Sequence, residues 1–64
     1  MPLIRVDGPR IDDLDRKRQL AQTLTDAAAG VYDMDREHIV VLIRENAPEN
    51  VGVGGQLIAD RQAE

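Results

Sequence analysis

The chain begins Met1-Pro2-Leu3-Ile4-Arg5-Val6. A proline in second place is suited to chemistry that no interior residue can perform. Once Met1 is removed, Pro2 carries a free secondary amine, and a side chain this small generally permits that cleavage. Such an amine is normally protonated at neutral pH. Burial and nearby cations both disfavour the charged form and bring the nitrogen into the range of a general base. The plainer reading is a strand start, because proline brings no N–H to a ladder and is tolerated at a strand's first residue. Spacing alone favours the plainer reading.

Of the eight basic residues, seven are arginines, in a chain of net charge −4. Arg10 follows Gly8-Pro9 in a loop near the end of the first strand, and Arg44 ends the second. Both are placed to grip a carboxylate bidentately at a sheet edge; for Arg44 a solvated strand end is an equally good reading. The run Asn50-Val51-Gly52-Val53-Gly54-Gly55 lacks the G-x-G-x-x-G spacing of a dinucleotide site, and no G-K-[ST] follows. Its glycines suit tight turns and close backbone approach at a subunit contact. Asp12, Asp13 and Asp15 read as cap and dipole residues, and Asp33, Asp35 and Glu37 as part of a short turn. Glu45 and Glu49 flank the loop before the glycines without a pairing that demands catalysis. His38 reads as a surface histidine at a strand start.

Composition narrows the partners. At 64 residues the chain makes one domain, 1–64, whose core is marginal by itself. It has no cysteine and one histidine, so disulfides and a structural zinc site are not expected. Self-association is the remaining support. Tyr32 is the only aromatic residue, so stacking platforms for single-stranded nucleic acid are missing, and the negative charge gives no attraction to phosphate backbones. No stretch is apolar enough to span a bilayer and no signal-peptide pattern is present, so a soluble cytoplasmic protein is expected.

The elements that must position these residues follow from periodicity. Residues 2–6 read as strand one and Asp7-Gly8-Pro9 as a turn. A helix is expected over about residues 12–29, with Asp12 as N-cap and Gly30 at the C′ stop. Leu14, Lys17, Ala21, Leu24, Ala28 and Val31 share one stripe, with Leu20 and Ala27 beside it. Lys17 lays its methylenes along that stripe and keeps its charge wet. Tyr32 and Met34 are expected to pack the helix exit. Residues 33–37 form a short turn, 38–45 the second strand, and the glycine-rich tail a possible hairpin start and a last helical turn. Strand–helix–strand order predicts a right-handed βαβ unit with parallel strands. Residues 39–43 are Ile-Val-Val-Leu-Ile without a break, which calls for cover on both faces. One helix covers one face. The other must meet another chain, so an obligate oligomer is expected.

Taken together, these features resemble the 4-oxalocrotonate tautomerase family. The resemblance spans essentially the whole chain: its length, proline directly after the initiator methionine, βαβ order, and the ending Glu49-Asn50-Val51-Gly52-Val53-Gly54-Gly55-Gln56-Leu57-Ile58-Ala59-Asp60. It implies a homo-oligomer, usually a hexamer built as a trimer of dimers, that uses no cofactor or metal. It implies that Pro2 moves a proton between carbon and oxygen, converting an enol such as 2-hydroxymuconate into its conjugated keto isomer. An arginine in the loop after strand one binds the acid end of the small anionic substrate in such proteins; Arg10 matches it here, in a shorter loop.

Two positions depart from the family pattern. Members often carry an arginine five residues before the glutamate that is Glu45, and Val40 stands there. Members often place an aromatic before the first tail glycine, where Val51 stands as the corresponding substrate contact. Losing an arginine that stabilises charge on the substrate oxygen can cost a few kcal/mol. Arg44, on the same strand face as Val40, is the candidate substitute. Two alternatives stay open: a dehalogenase or hydratase of the same scaffold with protonated Pro2 as acid, and a non-catalytic oligomeric module.

Overall fold

The computed structural model describes residues 1–62, with side chains through Arg61. The elements are β1 (Leu3–Gly8), α1 (Leu14–Tyr32), a 3-10 turn (Arg36–His38), β2 (Val40–Glu45), a second 3-10 turn (Pro48–Asn50), β3 (Gly52–Val53), β4 (Gln56–Leu57) and α2 (Ile58–Gln62). β1 and β2 pair in parallel, in register from Leu3 with Val40 to Gly8 with Glu45, and α1 is the crossover between them. β3 and β4 form a separate antiparallel hairpin. This is the expected α/β architecture of one βαβ unit with a short C-terminal hairpin and a last helical turn. The hairpin turn is Gly54-Gly55, both at positive φ (61° and 84°), which a two-residue loop of the primed type requires and glycine supplies without strain.

Side chains alternate between the two faces of the paired strands. Ile4, Val6, Val41 and Ile43 lie half-buried on the face under α1. Leu3, Arg5, Asp7, Val40, Leu42 and Arg44 share the opposite face, where no element of the described chain covers them. Leu3 and Leu42 are therefore half exposed, and Ile39 is the only buried hydrophobic side chain among the described residues.

The helix differs from expectation at both ends. Asp13, rather than Asp12, is the N-cap: its carboxylate accepts the Asp15 N–H at 2.9 Å, and its carbonyl accepts the Lys17 N–H at 3.1 Å. The preceding loop is tied down at Ile11, whose N–H donates to the Glu45 carboxylate at 2.7 Å, so the helix begins only beyond that tie. Asp12 turns outward to Arg10 at 3.1 Å. At the far end α1 runs through Gly30 to Tyr32 and stops at Asp33, which takes the left-handed conformation (φ 54°, ψ 52°). The N–H groups of Asp33 and Met34 both reach the Ala29 carbonyl. Aspartate tolerates this region better than most residues, so a glycine is not needed.

The extra length leaves apolar residues uncovered. A helix of 19 residues is about 28 Å long, against about 20 Å for a six-residue strand. Tyr32 and Met34, expected to pack the helix exit, are 57% and 41% exposed, and Val31 is 84% exposed. The radius of gyration is 15.2 Å, where a compact chain of this length gives about 11 Å. The accessible surface is 5161 Å², where a folded monomer of 7.1 kDa exposes about 4,100 Å². Among the described residues no helix is long and apolar enough to cross a membrane.

Thermal melts at one protein concentration test the cap. Asp13→Ala is expected to cost about 1 kcal/mol. Asp12→Ala should cost less than about 0.5 kcal/mol.

Candidate active site

Pro2 stands immediately before β1, and its carbonyl accepts the Val40 N–H at 3.1 Å. The front of the chain is thereby fixed against the start of β2. Beside it lies a cavity of about 270 Å³ lined by Met1, Met34, Glu37 and His38. His38 does not begin a strand: it ends the 3-10 turn, with its N–H bonded to the Asp35 carbonyl at 3.0 Å. That turn is tied back to α1 by an ion pair between Arg36 and Asp26.

The other sequence-selected residues lie at the opposite end of the sheet. Arg44 sits next to last in β2, 3.6 Å from Asp7 on the uncovered face. Arg10 extends from the β1–α1 loop, with its side chain 79% exposed. Val51 is half-buried and lines an apolar cleft of about 460 Å³ with Asp7, Gly8, Pro9, Asn46, Pro48 and Ile58. The Val51 carbonyl accepts the Ile58 N–H at 2.8 Å, which folds the C-terminal turn over the cleft. Arg61 holds the hairpin from behind, reaching the Gln56 side chain at 3.0 Å and the Val53 carbonyl at 3.2 Å. Four strand residues, Leu3 to Val6, stand between Pro2 and the nearest lining residue of this cleft, Asp7, a run of about 16 Å. Within one protomer the structure brings Arg44 and Val51 to the end where Arg10's loop begins. It does not bring Pro2 to them.

Glu45 organises that end. Its carboxylate accepts the Ile11 N–H and pairs with Lys17 Nζ at 3.0 Å. Both side chains of the pair are 29% exposed, so the Lys17 ammonium is less wet than its helix position suggested. The Ile11 N–H, and secondly Lys17, hold the Glu45 carboxyl below its ordinary range. The loop bearing Arg10 is thus clamped to the end of β2. Two sequence signals pointed to this pairing: Lys17 is the one basic residue in an apolar stripe, and Glu45 shares strand parity with inward-facing Val41 and Ile43. Neither Glu37 nor Ile58 carried a signal, because their places depend on turns. Among the described residues no three His, Cys, Asp or Glu side chains converge as a metal site.

The fold and this arrangement define a small α/β chain with a proline in second place at one sheet end and an apolar cleft at the other. Comparison with known proteins supplies the family. A model described as tautomerase enzyme matches residues 2–61. A crystal structure of DmpI from Archaeoglobus fulgidus is 51% identical, over 92% of this chain and 100% of that one, at TM-score 0.84. TomN, a 4-oxalocrotonate tautomerase homologue in the tomaymycin biosynthetic pathway, is 33% identical over 98% and 97% of the two chains, at TM-score 0.90. A heterohexamer 4-oxalocrotonate tautomerase from Chloroflexus aurantiacus is 30% identical over 94% and 97%, at TM-score 0.84. A search of curated proteins found no match. The chain belongs to the 4-oxalocrotonate tautomerase family of the tautomerase superfamily. Membership supports tautomerase-like, isomerase-type catalysis.

Glu45 makes stability depend on pH with a defined sign. A carboxyl held low in the folded state stabilises it above the unfolded value, about 4.3, and that contribution is lost as pH falls through the folded value. Between about pH 6 and about pH 3 the wild-type melting temperature should fall further than that of Glu45→Gln. Parallel declines would show that the clamp contributes nothing.

Proposed function

We propose that this chain is a cofactor-independent keto–enol tautomerase, with Pro2 as general base after removal of Met1. Its substrate is a small 2-hydroxydienoic or α-keto acid such as 2-hydroxymuconate. The proline nitrogen takes the proton of the enol hydroxyl, the oxygen's electron pair forms the carbonyl, and the ammonium returns the proton to a carbon of the diene. The site loses and gains nothing overall, so no redox partner is required. Arg10 and Arg44 bind carboxylate, and Val51 gives an apolar wall to the hydrocarbon part.

The observation that carries this reading is the separation of the parts. Pro2 stands at one end of the sheet, and Arg10, Arg44 and the Val51 cleft gather at the other. Copies packed through the uncovered sheet face would set the proline of one protomer against the cleft of the next. The half-exposed Leu3 and Leu42 and the excess surface supply the apolar contact such packing needs. The heterohexamer from Chloroflexus aurantiacus supports a hexameric assembly by similarity.

A second reading has one observation in its favour. Glu37 lines the cavity at the front of the chain, and a carboxylate near an amine favours its protonated form. Pro2 would then serve as an acid toward an unsaturated acid, as in dehalogenation or hydration. Titration of the Pro2 nitrogen separates the two: the base needs a pKa near or below neutrality, the acid one well above it.

Mass spectrometry of the purified chain should show Met1 absent, and the same material should ketonise 2-hydroxymuconate. Pro2→Ala should lower kcat by about 10²–10⁴-fold while the assembly persists. Retention of Met1 with full turnover contradicts the mechanism. Leu42→Lys, on the uncovered face, should shift the sedimenting species toward monomer and remove activity with it; an active monomer would refute a shared site.

A further inference from the structure

The cavity at the front of the chain has polar groups that the proposed mechanism does not yet use. Its four lining residues are Met1, Met34, Glu37 and His38. Met1 is bonded directly to the Pro2 nitrogen. Pro2 is not itself a lining residue; removal of Met1 takes away one wall of the cavity and opens it toward the Pro2 nitrogen. The hydrogen bond from the Val40 N–H to the Pro2 carbonyl holds the two strands in register here, so the residues just before Val40 run alongside the chain terminus. Val40 itself offers only a backbone donor and an apolar side chain at this place. The arginines of the cleft stand a strand length away in the same protomer.

From this juxtaposition we infer that His38 is a substrate-binding residue, donating a hydrogen bond from its imidazole to the carboxylate or carbonyl oxygen of an enol acid bound at Pro2. The inference rests on the tautomerase reading for its substrate class. Imidazole suits the task because it is a donor in both protonation states and carries a charge that a bound anion retains. The charged side chain that shares the cavity with His38 is Glu37, on the same turn. The turn itself is held in place by Arg36 bound to Asp26 on α1, so His38 is presented from a supported backbone. Met34 closes the apolar side, where the hydrocarbon of a dienoate would lie.

His38 is the only histidine of the chain, so its imidazole C2 proton gives a single resonance that reports the site without any turnover. Adipate, a saturated diacid that cannot react, serves as the probe, with chloride at equal ionic strength as the control. The full chain with Met1 removed is used throughout. Adipate should move the resonance and raise the pH at which it titrates, whereas chloride should not. With 2-hydroxymuconate, His38→Ala should raise KM about tenfold with a smaller change in kcat, and His38→Arg should restore KM to within about threefold of wild type. A resonance that adipate leaves unmoved overturns the inference whatever the kinetics show, and so does an unchanged KM in His38→Ala. Should the chain fail to turn over 2-hydroxymuconate, the tautomerase reading falls, and the resonance alone decides whether His38 holds an anion.

Discussion

One helix of 19 residues lies over two strands of six, and most of the structure's character follows from that mismatch. The helix satisfies the face bearing Ile4, Val6, Val41 and Ile43. It has no counterpart for the face bearing Leu3, Val40 and Leu42, and its own ends overhang the sheet. A single protomer therefore buries almost nothing completely; Ile39, 8% exposed, is the exception among the described residues. At about 25 cal/mol per Å² of apolar area, a layer this thin cannot offset the ordering of its own backbone. In the proposed assembly another copy of the same chain supplies that layer and places the same apolar strand against the face left open.

The same constraint separates the chemistry. In a parallel βαβ unit both strands run one way, so residues before β1 and residues after β2 lie at opposite ends. Pro2 belongs to the first group, whereas Arg44 near the end of β2, Val51 beyond it and the cleft lie at the other end. The chain fixes each group firmly in its own place. The Pro2 carbonyl is bonded to Val40, while the loop carrying Arg10 is bonded through Ile11 to Glu45. Neither group can swing to the other within one protomer. The proposed tautomerase site therefore needs two protomers, and ends held this firmly suit their alignment within hydrogen-bond tolerance.

Much of this was legible in the residues. Pattern and length indicate the parallel strands, the crossover helix, a possible hairpin start in the glycine-rich tail and the uncovered face of the second strand; the turn at Gly54-Gly55 is seen only in the structure. The start of the helix is not legible from pattern because two good caps, Asp12 and Asp13, stand side by side. The choice between them follows from a contact distant in sequence, the Glu45 carboxylate that ties down Ile11, 34 residues before it. Gly30 looked like a stop because glycine is the common residue for a left-handed cap, yet Asp33 takes that conformation, and the helix passes Gly30 without a break. Apolarity predicts packing for Tyr32 and Met34, but the sheet beneath them ends too soon.

The local order of elements, the strand faces and the presence of proline at the front were determined by the sequence itself, because alternation, helical period and turn chemistry act between near neighbours. Which residues meet was decided only by the tertiary structure. Glu45 with Lys17 and Ile11, His38 and Glu37 with the chain terminus, and Val51 with Ile58 and Pro9 are brought together by the register of β1 on β2 and by two short turns. Those contacts depend on distances through space, to which hydrophobic period is blind.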